Sequence, residues 1–444
     1  MSLVKNRQIR RAIILMGPRR VGKTVMLQQT IRDLLQSGVS GSRILFLSLE
    51  TPIYTDRPLD DFVRRFCERF EHDRETPLTF FFDEIQYLKD WEIHLKSLVD
   101  SYPAYRFVVS GSAAAALRLA SRESGAGRFT DFLLPPLTFA EYLAFVGKEG
   151  SLIRIREGFD PPVATPDIEA LNREFLHYLN HGGYPEAVFN AAVRGDSGRF
   201  IKSDIIDKVL LRDLPQIYGI RDIQELNRLF MTLAYNTGNE VSLEELAQSS
   251  GVSKTTLVRY LEYLEAAFLI RRVRRIDQSA RHFQRATSFK VYLTNPSMRA
   301  ALFGIAEETD AAMGALAETA YFAQWFHLPD LMDNLYYARW NNGEIDLVTL
   351  DPKTQKPANA IEIKWSDRPA TDPKLLRHLS AFKASNPGLT ACEMTTRTYS
   401  GKSKLSDGST VSLMPTALAV YRIGKFQLAW HQFRLSENHR TELG

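Results

Sequence analysis

Cysteine is almost missing from this chain. Cys67 and Cys392 are the only two in 444 residues, and neither has histidine neighbours at ligand spacing. A disulfide framework and a structural zinc are excluded, and a reducing compartment, the cytoplasm, is expected. Long hydrophobic runs are missing too. None approaches the ~18 apolar residues of a membrane span, so no membrane partner is expected. The basic stretch from Met1 to Arg11 precedes an apolar run that is too short for a signal peptide and flows straight into a glycine loop. Excess charge of one sign is scarce, with 56 Lys and Arg against 52 Asp and Glu. A net charge of +4 proves no nucleic-acid partner, so the placement of charge matters more than its sum. Apolar residues are plentiful at 44%, enough for cores in roughly two to four domains.

What the chain does have is Gly17-Pro18-Arg19-Arg20-Val21-Gly22-Lys23-Thr24, the G-x-x-x-x-G-K-[ST] pattern of a phosphate-binding loop. Ala12 to Met16 before it reads as a buried parallel strand. The stretch after it, from Val25 to Leu35, reads as a helix with Met26, Leu27, Ile31, Leu34 and Leu35 on its apolar face. Gly17 and Gly22 let the backbone bend around a phosphate. The loop amides and the helix N-terminus, with Val25 just inside it, would face the anion. Lys23 would meet the β- and γ-phosphates, and the Thr24 hydroxyl would bind Mg²⁺.

Residues 1–148 read as one α/β unit. Arg43 to Leu49 is expected as a second buried strand, and Leu59 to Phe70 as an amphipathic helix carrying Phe62, Val63, Phe66 and Phe70. The apolar strand Leu78 to Phe82 ends in Asp83-Glu84, the Walker B pattern. Asp83 would hold Mg²⁺ and Glu84 would polarise the attacking water as general base. An Asp-Glu pair there could instead cap the next helix. A fourth strand, Tyr105 to Val109, runs into Ser110-Gly111-Ser112. A small polar side chain beside Walker B can reach the γ-phosphate, and both Ser110 and Ser112 are candidates.

These motifs, with Gly127-Arg128 and the run from Leu134 to Tyr142, resemble a family of bacterial and archaeal AAA+ ATPases with a C-terminal domain of unknown function. His181-Gly182-Gly183-Tyr184-Pro185-Glu186 is similar to a later turn of the same family. The resemblance implies ATP and Mg²⁺ as cofactors, and a homo-oligomer in which an arginine reaches a neighbour's γ-phosphate. Arg118, Arg122 and Arg128 are the candidates, Arg128 favoured by its Gly127-Arg128 match; a solvated basic face accounts for each equally well.

The proline- and glycine-containing residues 149–170 read as a linker, and 171–235 as a helical lid or connector, so 149–238 is treated as one segment. Residues 239–298 carry helix-turn-helix spacing: Ser242 caps one helix, Gly251 makes the turn, and Ser253 caps a second. Two β-rich stretches follow, as in a winged helix. Arg271, Arg272, Arg274, Arg275, Arg281, Arg285 and Lys290 stand there against Asp277, a local charge of +6 suited to DNA phosphates. The alternative is a winged helix that packs against protein.

Residues 299–444 hold a second candidate site. Glu318 on a helix, Asp346 on a strand after the Asn341-Asn342-Gly343 turn, and Glu362-Ile363-Lys364 on the next strand resemble the PD-(D/E)xK nuclease fold. Alternation would put Glu362 and Lys364 on one face. The resemblance implies Glu318, Asp346 and Glu362 as Mg²⁺ ligands, with Lys364 orienting the attacking water. The fold class expected is therefore α/β: a P-loop AAA+ core, a helical connector, a winged helix and a restriction-endonuclease-like C-terminal domain. The function expected is an ATP-hydrolysing protein that binds DNA and cleaves it. The rival is a nucleotide-switched regulator or scaffold whose nuclease-like part is inactive.

Overall fold

The computed structural model describes residues 4, 10–54, 57–111, 127–155, 162–280, 288–426 and 429. Ser112, Arg118, Arg122, Arg281 and Arg285 lie outside them. The chain divides into two compact units. The first takes in residues 1–135, 207–221 and 266–268, and the second takes in the rest.

The first unit is built on a five-stranded sheet. Its strands are β1 (Ala12–Met16), β2 (Ile44–Ser48), β3 (Thr79–Asp83), β4 (Arg106–Gly111) and β5 (Phe129–Leu133), in the order β2-β3-β4-β1-β5. Every pairing is parallel. A parallel sheet must be covered on both faces, and the pleat divides its side chains accordingly. Ile13, Leu15, Phe81 and Val108 pack with Leu27 and Leu34 of α1 (Lys23–Gln36). Ile14, Met16, Phe80, Phe82 and Phe107 pack with α2 (Leu59–Phe70) and α3 (Trp91–Ser101).

Two details depart from the sequence expectation. The buried face of α1 is Lys23, Leu27, Thr30 and Leu34, while Met26 and Leu35 are exposed. β2 is a sheet edge, and all five of its residues are only half-buried.

The second unit begins with α4 (Phe139–Phe145), closed at its N-terminus by a capping box between Thr138 and Glu141. The stretch read as a linker is part of this unit's core. Leu152, Ile153 and Val163 are buried, around a short ribbon of β6 (Arg154–Ile155) and β7 (Val163–Ala164). α5 (Ile168–His181) follows, and its end turns at Gly183, whose φ of +98° and contact with Asn295 leave no room for a Cβ.

The rest of the unit is organised by a nine-stranded mixed sheet. Its strands are β8 (Glu240–Ser242), β9 (Ile270–Ile276), β10 (Ser288–Leu293), β11 (Leu335–Trp340), β12 (Gly343–Leu350), β13 (Pro357–Glu362), β14 (Ala391–Thr396), β15 (Gly401–Lys404) and β16 (Thr410–Pro415). The order is β15-β16-β14-β13-β12-β11-β9-β10-β8. The helix-turn-helix spacing is present as α6 (Leu243–Ser250), a left-handed Gly251 and α7 (Lys254–Ala266). Ser242 and Ser253 accept amide hydrogen bonds at the two N-termini, as expected. The β9–β10 hairpin does not stand apart. β9 pairs in parallel with β11, so strands from residues 239–298 and 299–444 share one sheet. α8 (Met313–Ala323) covers one face of that sheet, and α9 (Arg377–Ser385) covers the other.

Candidate nucleotide site and a second acidic cluster

The phosphate loop leaves the C-terminal end of β1. Gly22 has a φ of +100°, a left-handed turn that a side chain would strain. A Cβ on Gly17 would lie 2.1 Å from the Leu134 carbonyl oxygen, so the close approach requires glycine. Lys23 is 4% exposed, and its ammonium donates to the carbonyl oxygens of Gly17 (3.0 Å) and Pro18 (2.6 Å). Burial pushes it down to about 8, against the pull of Glu84 and Asp83. Thr24 Oγ1 donates to Asp83 Oδ2 at 2.7 Å, which brings the two expected Mg²⁺ ligands together across the sheet end. A hydroxyl and a carboxylate so placed are hard oxygen donors and fit Mg²⁺. Val25 and Arg20 are exposed, and Val21 is buried under the loop.

β4 lies between β1 and β3, so its last residues neighbour both motifs. Ser110 is fully buried and its hydroxyl donates to Asp83 Oδ1. The Glu84 amide donates to Ser110 Oγ at 3.3 Å. Glu84 sits in the left-handed region at φ +55° and makes no side-chain capping bond to the turn that follows. A non-glycine residue held there is strained, and such strain gathers at functional positions. Gln86 Nε2 donates to Glu84 Oε2 and orients the carboxylate.

Arg19 is placed differently from its neighbours in the loop. Its guanidinium makes a bidentate pair with Asp213, Nε at 2.7 Å and Nη2 at 2.9 Å, and Nη2 also reaches the Tyr87 hydroxyl at 3.1 Å. Despite burial, Asp213 and Tyr87 hold Arg19 charged above its ordinary value. Sequence reasoning missed Asp213 and Tyr87. Asp213 lies 194 residues from Arg19 and belongs to the 207–221 segment that folds into the first unit. Arg128 stands at the start of β5, where the Ala12 amide donates to its carbonyl, at the opposite end of the sheet from the phosphate loop. Its side chain makes an exposed ion pair with Asp100 at 2.9 Å.

The second cluster lies in the nine-stranded sheet. Asp346 is 7% exposed and Glu362 2% exposed. Lys364 follows just past the end of β13, and its ammonium is 3.1 Å from Asp346 Oδ2 and 3.5 Å from Glu362 Oε2. The Ile363 amide donates to Asp346 Oδ2 at 2.8 Å. Glu318 of α8 accepts from the Tyr292 hydroxyl at 2.5 Å. The sequence thus identified four residues that do meet. It missed two more, Glu344 and Lys290, the latter read as part of a DNA-facing wing. Lys290 is 3% exposed, and its ammonium lies 2.6 Å from Glu344, 2.9 Å from Glu318 and 3.4 Å from Asp346.

Burial pushes Glu318 up to about 7 and Glu362 up to about 8. Against burial, Lys364 and Lys290 hold Asp346 down at about 2. Among the described residues no three His, Cys, Asp or Glu side chains converge at metal-holding distance. The carboxylates as arranged face lysines and do not fit a resident Mg²⁺.

The basic strand is also partly spoken for. Arg272 Nε and Nη2 both donate to Glu265 Oε2, at 2.8 and 2.6 Å, and the Arg272 amide donates to Oε1 at 2.7 Å. Arg271 pairs with Asp333 at 3.2 Å, and Arg275 approaches Glu240 at 3.8 Å. Arg274 is exposed over the Tyr336 ring.

Comparison with known proteins adds the following. Residues 172–309 match a family profile described as a domain of unknown function. An uncharacterized protein of Haemophilus influenzae is 25% identical over 294 residues, 64% of this chain and 68% of that one. An uncharacterized protein of Methanocaldococcus jannaschii is 25% identical over 269 residues, 58% of this chain and 55% of that one, so the match spans about half of that relative's length. Among solved structures, AMPPCP-bound DnaA from Aquifex aeolicus gives a TM-score of 0.30 at 13% identity, covering 60% of this chain and 85% of that one. Residues 9–143 match a family profile described as the AAA domain, and over that stretch, which holds Gly17–Thr24, Asp83, Glu84 and Ser110, the chain is similar to that nucleotide-binding family.

Proposed function

We propose that this protein binds ATP at Gly17–Thr24 and hydrolyses it. The observation that carries the reading is the direct 2.7 Å contact of Thr24 with Asp83 beside a buried Lys23. The loop would cradle the phosphates, and Lys23 would exchange its two carbonyl partners for β- and γ-phosphate oxygens. Magnesium, held by Thr24 and Asp83, would supply charge neutralisation on the β- and γ-oxygens. Glu84 would take the proton of the attacking water, and Ser110 would hold Asp83 and the Glu84 backbone in place.

Lys23→Ala is expected to abolish ATP binding in calorimetry. Glu84→Gln is expected to keep binding and lose turnover by about 10²- to 10⁴-fold, the usual worth of a general base. Equal hydrolysis rates in Glu84→Gln and parent would remove Glu84 from that role.

The finer reading is a self-associating protein that engages DNA through the Arg271 to Arg275 strand and its helix-turn-helix, read as a winged helix. An arginine finger in trans, Arg128 or one of Arg118 and Arg122, belongs to the same reading, and sedimentation with and without an ATP analogue tests the assembly it requires. Nuclease chemistry at Asp346, Glu362 and Lys364 is the less favoured extension. Lys290 among the carboxylates favours the second reading, a nucleotide-switched protein whose C-terminal part binds without cutting. Supercoiled-plasmid nicking with Mg²⁺ in parent, Asp346→Ala and Lys364→Ala separates the two.

A further inference from the structure

The cluster at the heart of the nine-stranded sheet contains four carboxylates, Glu318, Glu344, Asp346 and Glu362, with two lysines within 3.5 Å of them and the half-exposed Arg339 guanidinium 3.4 Å from Glu344. The lysines divide the carboxylates between them. Lys364 serves Asp346 Oδ2 and Glu362 Oε2 from the partly exposed side. Lys290 comes from β10, beyond β11 and β9 in the sheet, and serves Glu318, Glu344 and Asp346 Oδ1 from within. Its ammonium also lies 5.6 Å from the Tyr337 ring centre, so a π face joins three carboxylates around one cation. An ammonium is a compact point charge with three donors, and here each donor has a carboxylate.

We propose that Lys290 is the built-in cation of this pocket. Its ammonium fills the space among Glu318, Glu344 and Asp346, and it makes the cluster an internally paired core that takes no metal. The pocket gains a divalent-cation site only when the ammonium is taken away. The inference stands apart from the ATP reading, because its residues belong to the second unit and the phosphate loop to the first.

The test uses the full chain without nucleotide, with Mn²⁺ as the probe, followed by its electron paramagnetic resonance signal. Parent and Asp346→Asn are expected to bind the same amount of Mn²⁺, so any ion held near Thr24 and Asp83 cancels in the comparison. Lys290→Met is expected to gain one Mn²⁺ equivalent, and Lys290→Met with Asp346→Asn to lose it again. The Tm of Lys290→Met is expected to rise with Mn²⁺, as for any ligand that binds the folded state alone. Removing the ammonium leaves carboxylates buried without compensation, so this variant risks failing to fold. The parent comparison does not depend on it. A Mn²⁺ equivalent bound by parent and lost in Asp346→Asn or Glu362→Gln would overturn the proposal, as would plasmid nicking by parent that Asp346→Asn abolishes.

Discussion

At the scale of single residues, Glu362 is the most informative titrating group. Its carboxyl is pushed up to about 8 from an ordinary value of 4.5, chiefly by burial. The folded state therefore binds this proton more tightly than the unfolded chain does. Stability is lost as pH rises from about 4.5 toward 8, because folding must then either keep the proton or bury the charge. Glu362→Gln mimics the protonated form at every pH. Denaturant unfolding is expected to show parent and Glu362→Gln alike near pH 5. Near pH 9 the variant should be more stable by a few kcal/mol, since each pKa unit is worth about 1.4 kcal/mol. An equal difference at both pH values would rule out this origin. That the contiguous patterns Gly17 to Thr24 and Asp83-Glu84 would meet at one end of a sheet was legible in the sequence. Lys290 was not. Alternating Phe289, Lys290 and Val291 look half-exposed when read alone, but the strand lies inside a wide sheet with carboxylates from α8 and β12 closing over it.

At the scale of elements, the helices and strands of the first unit follow from period and turn chemistry, but which face is buried depends on neighbours. In α1 the burial of Lys23 and Thr30 instead of Met26 and Leu35 follows from the loop: Lys23 turns in to the Gly17 and Pro18 carbonyls, which fixes the rotation of the helix. β9 shows the same dependence. Its arginines summed to a strong local charge in the sequence, yet Glu265, Asp333 and Glu240 come from other elements to meet them. For the proposed DNA engagement, a smaller salt dependence than the raw charge suggests is expected. Arg274→Ala is expected to lower the slope of log affinity against log salt by about one, as loss of one phosphate contact would. Arg272→Ala is expected to leave the slope unchanged and to cost stability, because its guanidinium already serves Glu265. Binding measured across a salt series checks both. Equal slope changes in the two variants would show that the ion pair opens on DNA.

At the scale of the whole molecule, the departure from the sequence reading is continuity. The boundary drawn near 298 runs through one sheet, and the first unit is not one stretch of chain but takes in residues 207–221 from the segment read as a connector. Local patterns carry no trace of this, because a helix that returns to a distant sheet has the same period as one that stays with its neighbours. Its consequence is physical: Asp213, at the end of a π turn over Val209–Asp213, is tied to the phosphate loop through Arg19, and Arg212 lies over the Tyr87 ring. Nucleotide that orders the loop is then expected to order this segment as well. In Glu84→Gln protein with Mg²⁺ and ATP, amide hydrogen exchange is expected to slow in both Gly17–Thr24 and residues 207–221. In the same protein carrying Asp213→Asn, the slowing should persist in the loop and fade in 207–221, since the charged pair is reduced to a weaker hydrogen bond. Exchange in 207–221 that ignores nucleotide in the presence of Asp213 would mean that the pair with Arg19 holds the segment but transmits nothing.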